Sequence, residues 1–210
     1  HIVSFVLILK FGSRLPTVKK NEDFSPFVSI VIPTMNEEEI IKERLQNILQ
    51  MDYPKENLEV IFVDGSSDET AEIIEKYQTK HPFIKLLKQE KPGFNNALNQ
   101  GYSAAKGDII VKSDCTAFPY PDALRKLVSN FADSNIGAAC GVHVFSKDGK
   151  SLEKEFKNIQ YKVQQMESCL HSSLVSHGAF GAYRRNLVPK LREELTSDDS
   201  EVIVNVVKQG

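Results

Sequence analysis

The sequence carries no excess of positive charge and no cysteine spacing of the kind that holds a metal or staples a small fold. Its 26 Lys and Arg stand against 28 Asp and Glu, a formal net charge of -2. That argues against nucleic acid as a partner, because such proteins usually carry a basic excess. An anionic small ligand is not excluded, since a few backbone N–H groups and one cation can hold a diphosphate. Only 3 cysteines occur: Cys115, Cys140 and Cys169, an odd number without CxxC spacing. Neither a zinc site nor a disulfide framework fits them, and a reducing compartment does. His1, His81, His143, His171 and His177 show no metal-ligand spacing. His177, beside Gly178, reads either as a site-lining residue or as a structural one.

Several motifs are also missing. There is no GxGxxG and no GxxxxGK(S/T), which argues against a dinucleotide-binding domain and a P-loop enzyme. The absence of GxSxG argues against an α/β-type hydrolase. No internal repeat or low-complexity tract is present. The apolar run at residues 2–9 (IVSFVLIL) is stopped by Lys10, well short of the about 20 apolar residues that span a bilayer. It reads equally as the last turns of a transmembrane helix or as an ordinary buried strand or helix. With no basic region before it and no small-residue cleavage site after it, it is not a signal peptide. A chain that begins at His1 and stops at Gly210, directly after an apparent helix, is expected to be part of a longer, membrane-associated protein.

What is present is ordinary globular material. The 210 residues, 41% hydrophobic and 26% charged, suffice for one α/β domain with a sizeable core, or at most two small ones. Residues 10–26 are polar, contain Gly12, Pro16 and Pro26, and read as a linker. A regular pattern then begins. Residues 27–32 (FVSIVI) form a β-branched run closed by Pro33, which predicts a buried strand. Asn36 with Glu39 resembles an N-cap pair, ahead of a helix bearing Ile40, Ile41, Leu45, Ile48 and Leu49 on one face. The unit repeats with a strand at 58–63, a second capping box at Ser66 and Glu69, and a helix over 71–80.

Residues 83–87 predict a third strand, and Ala97, Leu98, Tyr102 and Ala105 a helical stripe ended by Gly107. Residues 108–112 (DIIVK) give the next strand. Beyond it, Pro119 and Pro121 precede a helix with Leu124, Leu127, Val128 and Phe131, and residues 136–145 suggest another strand. Phe156, Ile159, Val163, Met166 and Leu170 recur at helical spacing, as do Val202, Ile203, Val206 and Val207. Alternating strands and helices imply βαβ units and a mostly parallel central sheet flanked by helices.

Open parallel sheets bind ligands beyond the carboxyl ends of their strands. Three predicted strands end there in polar groups: Pro33-Thr34-Met35-Asn36-Glu37, Asp64-Gly65-Ser66-Ser67-Asp68 and Ser113-Asp114-Cys115-Thr116. Asn36 and Ser66 also read as helix caps. Asp64 and Asp114 follow apolar strands without being obvious caps, which points to a polar ligand held with a metal.

Taken in order, these stretches resemble the family 2 glycosyltransferases of GT-A fold. Residues 28–37 (VSIVIPTMNE) are similar to that family's opening strand and loop, and 60–70 (VIFVDGSSDET) to its second strand with an Asp-Gly-Ser motif. Residues 92–108 resemble its Ala-Leu-Asn helix and Lys-Gly-Asp turn, and 109–124 (IIVKSDCTAFPYPDAL) its Asp-x-Asp metal motif and Pro-x-Pro turn. Residues 178–185 (GAFGAYRR) are like the acceptor-side segment, and 196–210 like the acidic pair and helix that bear the catalytic base.

The resemblance implies a GT-A catalytic domain over 27–210, after an N-terminal segment and linker over 1–26. It implies a nucleotide-diphospho-sugar donor contacted by Pro33, Thr34, Asn36, Glu37, Asp64, Ser66, Asn96 and Asp114. Asp114 would bear on a divalent metal, Mn2+ or Mg2+, with Thr116 at the second Asp-x-Asp position. Gly178, Ala179 and Phe180 would line the acceptor side. Asp199 would act as base in a single inverting displacement, with Asp198 the alternative. The neutral Thr116 hydroxyl is a poorer ligand for a hard cation than a carboxylate, so weaker metal affinity is expected. The acceptor stays open between polyprenyl phosphate, polysaccharide and other hydroxyls, and the expected location is the cytoplasmic face of a membrane. A non-catalytic nucleotide-sugar-binding relative is the alternative. A sugar nucleotidyltransferase is another, although the opening loop lacks the Gly-rich basic character of that class.

Overall fold

A computed structural model of the chain describes residues 18–142, 179–193 and 198–209. Strands form where the sequence runs apolar and β-branched. β1 (Val28–Thr34), β2 (Leu58–Asp64), β3 (Ile84–Lys88) and β4 (Ile109–Ser113) alternate with α1 (Ile41–Leu49), α2 (Thr70–Gln78) and α3 (Phe94–Ala104). A short α4 (Ala123–Val128), then β5 (Ala138–Cys140), β6 (Phe180–Arg184) and α5 (Asp198–Gln209) complete the described elements. They build a 6-stranded sheet in the order β3-β2-β1-β4-β6-β5. β1 to β4 run parallel, while β6 is antiparallel to both β4 and β5. This is the mostly parallel α/β architecture that the sequence predicts.

Strand alternation sorts the core into two layers. Val28, Ile30, Ile32, Val60, Phe62 and Val111 face α1, α2 and α4, where they meet Ile41, Leu45, Ile48, Ile74, Leu124 and Leu127. Val31, Ile61, Val63 and Ile110 face the other way, onto Ala97 and Leu98 of α3 and Val202 and Ile203 of α5. α3 lies close to the sheet because Gly101 permits it: a Cβ there would fall 2.3 Å from Val31 Cγ1.

The structure corrects three local expectations. Pro33 does not close β1 but lies within it, opposite Val63. Gly65 N–H donates to Thr34 O at 3.0 Å, so Thr34 faces β2 and the donorless nitrogen of Pro33 faces β4. The β1–β4 ladder has already ended there, at Val31 and Lys112, and no hydrogen bond is lost. Asn36 is not a helix cap. α1 starts at Ile41 after an Ile40 N-cap that makes no side-chain bond, and Asn36 adopts φ 56°, a left-handed conformation that Asn tolerates. Ser66 is not a cap either, since α2 is preceded by Glu69.

The stretch before β1 is fastened to the sheet. Phe24 packs on the core, Tyr53 Oη donates to Pro26 O at 2.7 Å and Asn57 Nδ2 to Ser25 O at 2.8 Å. The apolar run at 2–9, the stripe from Phe156 to Leu170, Gly178, and the outer part of the 136–145 strand lie outside the described residues. Among the described residues, no helix is long and apolar enough to cross a membrane.

Candidate active site

The strand order runs from β1 through β2 to β3 on one side and to β4 on the other, so the topological switch lies between β1 and β4. A crevice opens there beyond the carboxyl ends, and β1 and β2 meet it together. Thr34 Oγ1 donates to Asp64 Oδ1 at 2.6 Å, and Ser66 Oγ donates to the same oxygen at 2.7 Å. Thr34 and Asp64 are 3% and 5% exposed. Asp64 Oδ2 accepts only the longer bond from Ser66 N–H, at 3.2 Å, among the described residues. A carboxylate has about four acceptor positions, so Asp64 is oriented by the protein and keeps capacity for a ligand N–H.

The two loops are laced to each other. Asn36 N–H donates to Ser66 Oγ at 2.7 Å, and Asn36 Oδ1 accepts from Ser67 N–H at 2.9 Å. Glu37 N–H reaches Thr70 Oγ1 at 2.9 Å, and Glu38 N–H reaches Asp68 Oδ2 at 3.3 Å. Asn36 and Ser66 therefore lock the loops rather than cap helices. Burial, followed by the nearby Asp68 charge, pushes the Glu37 carboxyl above its ordinary value. Asn96, near the start of α3, donates from Nδ2 to Pro92 O at 2.7 Å and so ties down the loop before that helix.

The end of β4 supplies the other wall. Asp114 N–H donates to Ala179 O at 3.1 Å, and Ser113 pairs with Phe180, so the segments that the sequence suggests as metal motif and acceptor side meet here. Ala117 N–H closes a turn on Asp114 O at 3.2 Å, and Thr116 lies exposed on it. Asp114 Oδ1 is 3.4 Å from Lys112 Nζ. Below, Arg44 of α1 donates from Nη2 to Ser113 Oγ at 2.8 Å. Burial, together with the charges of Glu37, Asp64 and Asp114, pushes the Cys115 thiol up to about 12, against the opposing pull of Arg44. β2 and β4 pair in parallel with β1 on either side, so the loops of all three strands open at the same edge of the sheet.

A family profile described as "Glycosyl transferase family 2" matches residues 29–192, from β1 past β6. The chain belongs to this family. It is 30% identical over 216 residues to the probable glycosyltransferase YdaM of Bacillus subtilis (strain 168), covering 96% of this chain and 51% of that protein. Over 108 residues it is 40% identical to a Methanococcus voltae enzyme named as a glucuronosyltransferase of a dolichyl N-acetylglucosaminyl phosphate, covering 50% of this chain and 34% of that one. Among solved structures it resembles the mannosyltransferase PcManGT from Pyrobaculum calidifontis in complex with GDP-Man and Mn2+. The TM-score is 0.84 at 27% identity, covering 98% of this chain and 59% of that one. The fold is that of the GT-A glycosyltransferases, and the chain spans about half the length of the relatives it matches.

Within this family 2 domain, Pro33, Thr34, Asn36, Glu37, Asp64 and Ser66 sit together on the β1 and β2 side, and Asp114, Thr116, Ala179 and Phe180 on the β4 side. Asp198 and Asp199 form the first turn of α5; their side chains, like Gly178, are outside the described residues. Sequence reasoning missed two residues. Arg44 is hidden in an amphipathic helix where its charge looks like part of the solvated face, yet it is 0% exposed. Lys112 sits within the short strand IIVKS, buried at every position. A lone charge in such a run was the available signal.

Proposed function

We propose that this chain is the donor-binding catalytic domain of a glycosyltransferase that moves a sugar from a nucleotide-diphospho-sugar to an acceptor hydroxyl with inversion. The observation that carries the reading is the convergence of Asp64 and Asp114, from parallel strands on either side of β1, on one crevice at the switch point. In this reading residues 27–210 are the catalytic domain, and 1–26 an N-terminal segment and linker. Asp64 accepts a hydrogen bond from the base, while Pro33, Thr34, Asn36, Glu37, Ser66 and Asn96 shape the nucleoside pocket. Ala179 and Phe180, with Gly178, line the acceptor side.

Asp199 takes the proton of the acceptor hydroxyl as its oxygen forms a bond to the anomeric carbon. The bond from that carbon to the diphosphate oxygen breaks, and the nucleoside diphosphate leaves with the electron pair. Asp198 is the alternative base. The described donors offer a divalent metal one carboxylate, Asp114, and the Thr116 hydroxyl. Among the described residues no cluster of three or more His, Cys, Asp or Glu stands ready for it. Asp114 and Thr116 would hold Mn2+ or Mg2+ together with a bound donor, and the ion would supply Lewis-acid stabilisation to the leaving group. The acceptor is a polyprenyl-phosphate-linked sugar, a polysaccharide or another hydroxyl, and the Methanococcus voltae relative's name supports the first. The family, the apolar run at 2–9 and the cysteine usage together support placement on the cytoplasmic face of a membrane.

Calorimetric titration of UDP and GDP, with Mn2+ and with EDTA, tests the donor site. One nucleotide is expected to bind. Asp64→Ala should weaken it about tenfold, the loss of one hydrogen bond to a charged group, and Asp114→Ala should remove any gain from Mn2+. If neither nucleotide binds folded protein under either condition, the donor-site reading fails.

A further inference from the structure

The chain between β6 and α5 is held from two sides. β6 ends at Arg184, opposite Ile109, at the end of the sheet away from the crevice. α3 starts at Phe94, past the carboxyl end of β3, so its first turn is at the crevice end. Asn99 Nδ2 donates to Leu191 O at 2.8 Å, and Leu191 N–H donates back to Asn99 Oδ1 at 2.8 Å. One turn nearer the crevice, on the same helix face, Asn95 Nδ2 donates to Arg192 O at 2.8 Å. Leu191 and Arg192 therefore run along α3 toward the crevice. α5 grips them from the other side: Arg192 donates from N–H to Glu201 Oε2 at 3.2 Å and from Nε to Glu201 Oε1 at 2.9 Å. Farther along α5, Asn205 Nδ2 donates to Leu187 O at 2.8 Å, just past β6 at the far end of the sheet. α5 thus runs away from the crevice. Asp198 and Asp199, its first residues, lie roughly 10 Å nearer the crevice than Asn205 along the helix axis.

We propose that Asn95, Asn99 and Glu201 are positioning residues for the base: they clamp Leu191 and Arg192 between α3 and α5, and so fix where the first turn of α5 meets the crevice. The inference rests on the reading above that this turn carries the base. Asn is a weak helix former, yet two of them share one face of α3, and both amides go to main-chain atoms of a segment 92 and 97 residues away. Bonds to the main chain fix the path of that segment whatever its side chains. Leu191, 1% exposed, sits in the same core layer as Val202 and Ile203 of α5, so the clamp and the helix pack as one body. α3 also follows the loop that Asn96 ties down. One helix thereby sets both that loop and the turn bearing Asp198 and Asp199. A base must come within about 3 Å of the hydroxyl it deprotonates, and a misplacement of about 1 Å can lower the rate on the order of a hundredfold.

Asn99→Asp tests this with little change of shape: it keeps the acceptor for Leu191 N–H but sets an oxygen against Leu191 O. The first readout needs no ligand. In an α-helix the amides of Val202, Ile203 and Val204 bond to the first-turn carbonyls. Their hydrogen exchange should speed up about tenfold, the effect of one lost hydrogen bond, while the amides of β1 and β2 keep their protection. A residue that only stabilised the fold would loosen all of them together. The second readout is release of UDP from UDP-glucose, or of GDP from GDP-mannose if GDP is the nucleotide that binds. Here kcat should fall about 10–100-fold, with affinity for the nucleoside diphosphate within about twofold of wild type. Glu201→Ala, at a partly exposed position, frees Arg192 from the α5 side and should give the same pattern if Asn99→Asp does not fold. Glu201→Gln, which still accepts from Arg192 N–H, should lose less. The proposal is overturned if exchange at those three amides is unchanged in the folded variants, or if it speeds up equally in β1 and β2. Nucleotide binding with unchanged exchange removes the clamp and leaves the donor site standing. Failure of UDP and GDP to bind wild-type protein removes the donor-site reading and, with it, the catalytic purpose of the clamp.

Discussion

A buried carboxylate at the opposite end of the sheet shows how single residues hold this fold. Glu59, 2% exposed, lies at the start of β2. Ser29 Oγ donates to its Oε1 at 2.6 Å, Lys106 N–H donates to the same oxygen at 2.7 Å, and Lys85 pairs with Oε2. Burial pushes its pKa up, but the hydrogen bonds from Lys85, Ser29 and Lys106 outweigh burial and hold the carboxyl below the ordinary range. A depressed folded-state value means that the stabilisation is fully present above the unfolded value, about 4.3. It is lost as pH falls through the lower folded value. Thermal unfolding should accordingly show stability flat above about pH 5 and declining on acidification. Glu59→Gln should flatten the acid limb and cost about 1–3 kcal/mol at neutral pH by leaving buried donors ill matched. Solvent screens the Lys85 contribution, because its side chain is 39% exposed. An unchanged acid limb in the variant would assign the linkage to other carboxylates.

At the scale of elements, the sequence was most legible where apolar periodicity is strong and least where short polar side chains choose among partners. β1, β2 and α1 fall where the pattern places them, with Ile41, Leu45 and Ile48 buried on one face. The two capping boxes failed for one physical reason. Ser66 Oγ has a better acceptor in the Asp64 carboxylate, two residues away, than any role as cap, and Asp68 takes the cap-like bond from Thr70 N–H at 3.0 Å. Asn36 is likewise drawn across to the β2 loop. Misread as helix starts, these residues fasten the site. The turn between α3 and β4 offers a sharp test. Gly107 N–H donates to Ser29 Oγ at 2.7 Å, and a Cβ at Gly107 would lie 2.5 Å from Ser29 N and 2.8 Å from Val28 C. Backbone cannot yield as a flexible side chain would. Gly107→Ala should cost about 1–3 kcal/mol by overpacking, read as a lower urea midpoint. Nucleotide affinity of the folded fraction should be unchanged, because the crevice is at the other end of the strands. An unaltered midpoint would mean that β1 and the turn can part without cost.

For the molecule as a whole, the pattern of alternating strands and helices implied a mostly parallel sheet, but not where its order reverses. That reversal depends on which strands pair, a long-range choice that local periodicity does not encode. The switch between β1 and β4 is what gathers Asp64, Asp114 and the start of β6 around one crevice, with α5 packed on the same sheet through Val202 and Ile203. Asp199, the proposed base, and Asp198, its alternative, are adjacent at the start of α5, so substitution must separate them. Once the donor nucleotide is known, turnover of the corresponding sugar nucleotide separates the pair. Asp199→Asn should lower kcat about 10²–10⁴-fold, the usual contribution of general-base catalysis, and leave nucleoside diphosphate affinity within about twofold of wild type, since the contact is made to the acceptor and not the donor. Asp198→Asn should retain most of kcat. The opposite ranking would move the base one residue back along α5, and an equal loss from both would mean that the first turn positions the acceptor as a unit.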